Sequence, residues 1–302
     1  MTTPQRINPE GAAAAMSPIA AEASAVGPLS DGHGAEVLDF LSANSVDAIY
    51  MRGLVLDNGL VSPDNRGTFY GARDAGGRLE GVALVGHATL VEARTEAALE
   101  AFARLAQGLP DVHLLVGDPA KIERFWRHYG EGGQEPRLIC RELLLEQRAP
   151  APDAEPVAAL RPATPADLDL VASVNALMIY DESGVNPLAR DPDGFRARLA
   201  RRIEQGRVWV WTEGGRLMFK ADVMAETPEA VYLEGVYVRP GARGRGLGRR
   251  CMMHLGRELL ARSRAVCLLV NERNLDAQSF YRKIGFSLRG LYETIYLHKT
   301  DA

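Results

Sequence analysis

The sequence predicts an α/β (α+β) fold made of two halves of similar build. Segments rich in β-branched and aromatic residues alternate with amphipathic helical segments along the 302-residue chain. A proline-rich stretch between the halves is typical of a linker, and a strand and helix of the first half recur in the second. We therefore predict a disordered segment 1–34, a first half 35–147, a linker 148–156 and a second half 157–302.

Composition restricts the class of protein. A hydrophobic content of 46% supports real cores, and a net charge of -4 provides no basic field for nucleic acid or an anionic membrane. The three cysteines form no disulfide framework or metal clip, and the six histidines show no metal-ligand spacing. No apolar run reaches the roughly 18 residues that cross a bilayer, and no secretory signal begins the chain. We expect a cytoplasmic protein with no metal, nucleic acid or membrane partner.

Hydrophobic periodicity places the elements of the first half after an Ala-, Pro-, Ser- and Gly-rich segment that predicts disorder up to residue 34. Asp74-Ala75-Gly76-Gly77 is a hairpin signal between two strands. The predicted elements are a short helix near 37–41, strands Thr68–Arg73 and Arg78–Glu92, helix Thr95–Gln107, strand Val112–Val116, helix Pro119–Tyr129 and strand Arg137–Leu145.

The second half has its own succession of periodic segments, with a further hairpin signal at Glu213-Gly214-Gly215. The predicted elements are strand Ala158–Pro162, helix Asp167–Tyr180, a polar loop Asp181–Asp193, helix Gly194–Gln205, strands Arg207–Thr212 and Arg216–Met224, a strand from Val231, a helix from Leu247, strand Val266–Val270, helix Asp276–Ile284 and a strand pair in Gly290–Leu297.

The stretch 231–248 carries the clearest chemical signal. A strand pattern ends at Arg239-Pro240-Gly241, an Arg-x-x-Gly-x-Gly pattern follows from Arg243 to Gly248, and a helix begins at once. Glycines let successive backbone N–H groups converge on one anion, and a helix start adds unpaired N–H groups and a positive dipole end. A pyrophosphate is the expected ligand. Alternatively, the glycines only form a turn between strand and helix.

Two signatures in this order resemble the GNAT N-acetyltransferase superfamily. The first is the Arg-x-x-Gly-x-Gly loop after a strand, and the second is Val-x-x-x-Asn-x-x-Ala-x-x-x-Tyr-x-x-x-Gly-Phe from Val270 to Phe286. The element order of the second half is also similar. Three short stretches further resemble a two-part GNAT subfamily: Phe219-Lys220-Ala221-Asp222, Thr227-Pro228 and Gly235-Val236-Tyr237. The resemblance implies tandem GNAT-like domains with a mixed, mostly antiparallel sheet flanked by helices, which splays to admit the pantetheine arm of acetyl-CoA.

The resemblance also implies which residues hold acetyl-CoA (CoA). The backbone of Val236, Tyr237 and Val238 would pair with the pantetheine arm and thioester as an added strand does. Asn274 would face the cofactor; the alternative, that it caps the following helix or lies in a turn, is compatible with that role. The pyrophosphate would bind the backbone N–H groups of Arg243, Gly244, Arg245, Gly246, Leu247 and Gly248.

Acetyl transfer to an amine requires a proton acceptor for the amine and a proton donor for the departing thiolate. Tyr281 matches the family's general acid, although the apolar spacing around it is equally typical of a core face. Glu234 precedes the thioester contacts on its strand and is the candidate base; a solvent-facing or salt-bridged glutamate is the alternative.

The acceptor is predicted to be a small-molecule or peptide amine. Tyr180, Glu182 and Asn186 follow the first helix of the second half, where the family builds its acceptor pocket. Asp222 on a neighbouring strand is a further substrate-binding candidate and an alternative base. Acidic groups at these positions suit a cationic amine.

The first half is expected to be a degenerate copy that has lost the cofactor. Val112–Val116 is similar to Val266–Val270, which indicates a tandem repeat; chance likeness of two αβ segments is the alternative. In place of the glycine loop stands Leu90–Thr95, without a glycine and with Glu92 positioned to repel a phosphate. Trp126 stands where the second half has its tyrosine, and an indole cannot donate a phenolic proton.

These features favour an N-acetyltransferase that moves an acetyl group directly from acetyl-CoA to an amine in a ternary complex. The alternative is a non-catalytic acyl-CoA-binding regulatory module, which would bind CoA without turnover. A third hypothesis is transfer of a longer acyl chain, or the making of a thiol-linked metabolite. A homodimer remains an open option for the assembly.

Overall fold

The structure, a computed structural model, describes residues 25–152 and 155–298. The part that leads up to the linker contains, in chain order, β1 (Ala25–Pro28), α1 (Gly34–Ser42), α2 (Ile49–Asn58), β2 (Gly67–Arg73), β3 (Leu79–Gly86), β4 (Ala88–Ala93), α3 (Glu96–Gln107), β5 (Leu114–Gly117), α4 (Pro119–Tyr129) and β6 (Pro136–Gln147). The second half contains β7 (Arg161–Pro162), α5 (Leu168–Ser183), α6 (Pro187–Arg190), α7 (Pro192–Glu204), β8 (Val208–Glu213), β9 (Arg216–Glu226), β10 (Val231–Val238), α8 (Leu247–Leu260), β11 (Val266–Asn271), α9 (Leu275–Lys283) and β12 (Ser287–Leu297).

Local signals in the sequence begin several of these helices. Thr95 accepts a hydrogen bond from Ala98 N at 3.3 Å and so caps α3. Asp118 caps α4 in the same way, and Pro119 occupies the first helical position, where no N–H is needed. Both helices were predicted from the sequence to within a residue at each end.

The described strands form one sheet in the order β1-β2-β3-β4-β5-β12-β6-β11-β10-β9-β8-β7. Only β4–β5 and β10–β11 are parallel pairs, and all other neighbours in this part of the chain are antiparallel. Helices cover both faces of the sheet. The predicted α/β class with a mixed, mostly antiparallel sheet is confirmed.

The two halves exchange their last strands. β6 ends the first half but lies between β11 and β12, with Leu145 opposite Leu268. β12 ends the second half but lies between β5 and β6, with Thr294 opposite Val116. The predicted boundary at 147/148 therefore divides the chain within a continuous sheet.

Both parallel pairs open along their length. β10 and β11 are paired from Val231 to Leu233, after which β11 continues along β6 and β10 continues along β9 only. β4 and β5 are paired at just two positions, Ala88 and Thr89. The splayed sheet that the resemblance implied for the second half is present there.

Helix α2 of the first half packs on the sheet of the second half. A Cβ at Gly53 would lie 2.5 Å from the Ala225 Cβ, so α2 approaches β9 as closely as glycine allows. Arg52 forms an ion pair of 2.8 Å with Glu229, and Arg207 pairs with Asp57. The face of the sheet that α2 covers carries Tyr232 and Cys267. Helices α8 and α9 cover Leu233 and Leu268 on the opposite face.

Four sequence predictions are corrected. Disorder was predicted up to residue 34, but 25–34 form β1 and a 3-10 turn, because Leu29 is buried and its N–H donates to Phe69 O at 2.8 Å. The remaining residues of that prediction, 1–24, lie outside the described residues. The single strand Arg78–Glu92 is two strands, because the chain turns at Gly86, where the backbone packs against Arg66 and Gly67.

The other two corrections concern the second half. The loop 181–193 is shorter than predicted: α5 runs to Ser183 and ends at Gly184, whose φ of 71° is left-handed, and α6 follows. The strand pair predicted in 290–297 is one strand, β12, whose partners β5 and β6 come from the first half. Helix α2 was not predicted, because its residues are buried on more than one side and show little amphipathic spacing.

Candidate functional site

The glycine loop between β10 and α8 contains consecutive backbone N–H groups that no protein acceptor in the described residues satisfies. Gly244 and Gly246 have left-handed φ values of 72° and 75°, and Gly246 is the N-cap of α8. Among the described residues, no oxygen accepts a hydrogen bond from the amides of Gly244, Arg245, Gly246, Leu247 or Gly248. These amides, together with the helix dipole, form a site suited to an anion.

Close packing holds this loop against β10. A Cβ at Gly248 would meet the Val238 Cγ2 at 2.8 Å, so the first turn of α8 lies directly on the strand. The Arg243 Nε donates to Val238 O at 3.0 Å, which bends the loop back over the strand end. The Arg243 and Arg245 side chains are exposed and add positive charge beside the free amides.

Val236, Tyr237 and Val238 lie beyond the point where β10 leaves β11. Tyr237 and Val238 pair with β9, opposite Lys220 and Phe219, and Val236 lies in the bulge that precedes them. The edge that faces β11 has no strand partner among the described residues. An extended ligand can therefore add to this edge as a strand would.

A buried ion pair supports the bulge at Gly235. Lys220 is fully buried, and its Nζ donates to Asp222 Oδ2 at 2.9 Å and to Gly235 O at 2.8 Å. Burial lowers the pKa of Lys220, and the nearby Asp222 charge opposes that shift. Asp222 is 3% exposed and also accepts from Asn175 Nδ2 at 3.2 Å. The opening between β10 and β11 is called the cleft here. Asp222 is buried beneath it and does not lie on its open surface.

Glu234 faces the cleft on the side of the sheet that α2 covers. Its side chain reaches solvent, yet protein atoms crowd it, and this desolvation raises its pKa. The Tyr232 hydroxyl and the Arg202 charge oppose the shift. A carboxyl with a raised pKa is a stronger proton acceptor when ionised, as a general base requires.

Two further glutamates lie near Glu234. Glu182, at the end of α5, is hydrogen-bonded to the Tyr296 hydroxyl at 3.4 Å, and desolvation raises its pKa. Glu142, on β6, accepts a 2.8 Å hydrogen bond from Thr294 Oγ1, and burial raises its pKa to about 7. The charges of Glu182 and Glu234 both add to that rise. Sequence reasoning missed Glu142, because only the strand exchange brings it here.

Tyr281 lies on α9, on the other face of the sheet. It is 8% exposed, its ring meets Phe280 and Phe286 edge-on, and burial raises its pKa. No described residue accepts a hydrogen bond from its hydroxyl, which leaves the proton free for a ligand. Asn274 Oδ1 accepts from Ala277 N at 3.0 Å, so the alternative prediction of a helix cap is confirmed for this residue.

Tyr180 and Asn186 lie apart from the carboxylates, in a groove of about 290 Å³ between α5 and α6. Tyr180 is 54% exposed, and Asn186 Oδ1 caps α6 by accepting from Leu188 N at 3.0 Å. The lining of this groove includes none of the three glutamates, so the structure does not bring Tyr180 and Asn186 together with Glu234. The lining consists of Ser173, Ala176, Leu177, Tyr180, Asn186 and Leu188.

The corresponding opening in the first half is filled. Between β4 and β5, Glu92 accepts from Lys121 Nζ at 2.6 Å and from Asn44 Nδ2 at 3.0 Å, and only about 10 Å³ remain. Glu92 thus contributes a carboxylate near the end of β4, and the turn into α3 begins at Thr95 without a glycine. The features expected of a degenerate copy are therefore present.

Among residues 25–152 and 155–298, no helix is both long enough and apolar enough to cross a bilayer. Within the same residues, no group of three or more His, Cys, Asp or Glu side chains is arranged to hold a metal ion.

The splayed sheet, the glycine loop and the helix that follows it define the fold of the GNAT acetyltransferases. The family model described as an acetyltransferase (GNAT) domain matches residues 204–288, so the second half carries a GNAT domain. None of the curated proteins compared with the chain matches it.

Solved structures extend the likeness to the whole chain. A tandem GNAT protein from the clavulanic acid biosynthesis pathway has a TM-score of 0.58 at 15% identity, covering 92% of this chain and 100% of that one. A Drosophila protein has a TM-score of 0.63 at 14% identity, with 92% and 100% covered. A GNAT-family acetyltransferase from Colwellia psychrerythraea has 0.54 at 12%, with 91% and 100% covered. At these identities the likeness shows the fold, which is that of tandem GNAT proteins.

Proposed function

We propose that the chain is an N-acetyltransferase that moves an acetyl group from acetyl-CoA directly to a primary amine. The observation that carries this proposal is the opening between β10 and β11, which leads to the free amides of residues 244–248. An extended arm with a pyrophosphate at its end matches both parts: the arm adds to the strand edge, and the anion meets the amides.

The two faces of the sheet divide the acid–base chemistry. On the α2 face, Glu234 accepts the proton that the amine loses as its nitrogen attacks the thioester carbonyl. On the α9 face, Tyr281 donates its proton to the sulfur as the carbon–sulfur bond breaks. The carbonyl carbon thus exchanges a sulfur for a nitrogen, and the proton balance is closed by one acid and one base.

Replacing Tyr281 with phenylalanine tests this assignment. We expect kcat for release of the CoA thiol in the presence of an amine panel to fall at least about 100-fold, because a positioned acid contributes on that order. Tyr129→Phe is the matched control, since Tyr129 is a buried tyrosine at the end of α4 in the first half. It should leave turnover unchanged.

Measuring CoA binding alongside turnover of the wild-type protein separates an enzyme from a regulatory module. Calorimetry with CoA reports binding, and thiol release reports turnover. CoA binding without turnover of any amine would favour the non-catalytic module, and the absence of both would remove the whole proposal.

A further inference from the structure

We infer that the amine acceptor also carries an anionic group, a carboxylate or a phosphate, which is bound by Arg66 of the first half. This inference rests on the proposed acetyltransferase function and specifies its acceptor. It is carried by a cluster of cationic side chains at the junction of the halves, on the face of the sheet that carries Glu234. The cluster, called the junction cluster here, consists of Arg66, Arg190 and Arg198.

Arg66 is held at this junction by its backbone. It is the one non-glycine residue of the described chain with a left-handed φ, 53°, and it follows a 3-10 turn at Pro63–Asn65. Its carbonyl accepts from His87 N at 2.9 Å, and the Gly86 backbone packs against it. The corner between β3 and β4 therefore fixes where the Arg66 side chain begins.

Helix α7 of the second half adjoins the same turn. Arg201 pairs with Asp64 and donates to Asn58 Oδ1 at 2.7 Å, which ties α7 to the segment that leads to Arg66. Arg198 lies one helical turn before Arg201 and faces Asp191 at 3.1 Å. Arg66 of the first half and Arg198 of the second half therefore both lie at the junction between α7 and the turn 63–65.

The positive charges of the junction cluster are only partly balanced. Asp191 is the acid that acts on Arg66, and it already pairs with Arg198. No acidic side chain among the described residues lies within ion-pair distance of the Arg66 or Arg190 guanidinium groups. Crowding by protein atoms and the charges of Arg198 and Arg190 lower the pKa of Arg66.

The neighbouring His87 adds no charge of its own to the junction cluster. His87 packs edge-on against His113, with ring centroids 5.2 Å apart. Burial, followed by the Arg66 charge, lowers the pKa of His87 to about 3, so that His87 is neutral at physiological pH. A ligand anion would therefore meet uncompensated arginine charge, and arginine matches the planar geometry of carboxylate and phosphate oxygens.

Tyr50 of α2 connects the junction cluster to the base. Its ring packs edge-on against Tyr232 with centroids 6.4 Å apart, and the Tyr232 hydroxyl interacts with Glu234. The charges of Glu234 and Arg66 both act on the Tyr50 phenol, in opposite directions. The acceptor side is consequently bipolar, with carboxylates that suit an amine at one end and arginines that suit an anion at the other.

Matched amine pairs test the inference on the full-length protein. Lysine and cadaverine differ only in a carboxylate, and O-phosphoethanolamine and ethanolamine differ only in a phosphate. We expect the anionic member of at least one pair to be acetylated with a kcat/KM at least about tenfold above the counterpart that lacks the anion, since a charge-assisted contact has roughly that value. The pair that shows the preference identifies the anion as carboxylate or phosphate.

Arg66→Gln should remove this preference. We expect KM for the preferred anionic amine to rise about tenfold, while kcat and the kinetics of the partner amine that lacks the anion stay near wild type. Arg198→Gln should act in the same direction and more weakly, because Asp191 already pairs with that residue. Arg78→Gln is the control, since Arg78 is an exposed arginine on the hairpin of the first half and should change nothing.

The outcomes separate the two proposals. If no amine is acetylated, the acetyltransferase proposal fails. If amines are acetylated but neither pair shows a preference, or if Arg66→Gln folds with an unchanged Tm and keeps the preference, the inference about the acceptor is overturned while the acetyltransferase stands.

Discussion

Glu142 lies on a strand of the first half, but the carboxylates that surround it belong to the second half. Burial and the charges of Glu182 and Glu234 raise its pKa to about 7, while the hydrogen bond from Thr294 opposes the rise. A carboxyl that is protonated near neutral pH adds little negative charge to the cleft, where Glu182 and Glu234 already lie nearby. Its ionisation therefore couples pH to both the charge of the cleft and the stability of the fold.

Glu142→Gln should make the stability of the protein less sensitive to pH. The pKa of Glu142 rises from 4.5 in the unfolded chain to about 7, so that between these values the folded state holds more protons than the unfolded state. The free energy of unfolding then falls as pH rises through this range. The Gln variant lacks this contribution, and its Tm should decrease less than that of wild type between pH 5 and 8.

Thermal melts across this pH range provide the measurement. Glu123→Gln, at an exposed position on α4, is the control and should follow the wild-type curve. Parallel curves for wild type and the Glu142 variant would contradict the prediction.

At the scale of elements, β10, the glycine loop and α8 act as one unit. Gly246 must adopt a left-handed conformation to begin α8, and Gly248 must lack a Cβ to pack on Val238. The two requirements differ: one concerns backbone conformation and the other concerns space. Together they position the free amides of residues 244–248 at the mouth of the splay.

Gly246→Ala should weaken CoA binding more than it weakens the fold. A left-handed alanine costs roughly 1–2 kcal/mol, and relief of that strain would turn the amides away from the anion. We expect a Kd for CoA about tenfold higher by calorimetry, at a nearly unchanged Tm. Gly241→Ala, in the same loop but without a left-handed φ or a near neighbour, should bind CoA like wild type. Equal affinities for both variants would show that the loop conformation does not matter for CoA.

At the scale of the molecule, strand exchange makes the halves interdependent. β6 is paired along both of its edges with strands of the second half, and β12 is paired with two strands of the first. Helix α2 adds ion pairs across the junction. Neither half retains a complete sheet without the other, although each has its own helices.

A protease site inserted into the predicted linker 148–156 tests this interdependence. After cleavage, both fragments should co-elute as one species in size-exclusion chromatography, because β6 and β12 remain buried in one sheet. Residues 157–302 expressed alone should lack a cooperative thermal transition, since β11 would lose the partner that covers its edge. Separation of the fragments as two folded units would refute the prediction.

Several features could be predicted from the sequence because they are encoded in short contiguous stretches. The caps of α3 and α4, the glycines at 244–248 and the cap role of Asn274 each depend on residues a few positions apart. The class of fold and the splayed pair followed from the resemblance that these stretches support. The roles of Tyr281 and Glu234 remain predictions.

The sequence by itself therefore determined the local elements, the glycine loop and the class of fold, because neighbouring residues decide backbone conformation and capping. Only the tertiary structure decided that Glu142, Tyr50 and Arg66 of the first half lie on the face of the sheet that carries Glu234 of the second. Their placement depends on β6 pairing with β11 and on α2 packing against β9, contacts between segments far apart in the chain. Such pairing is set by the register of the whole sheet, which no local pattern contains.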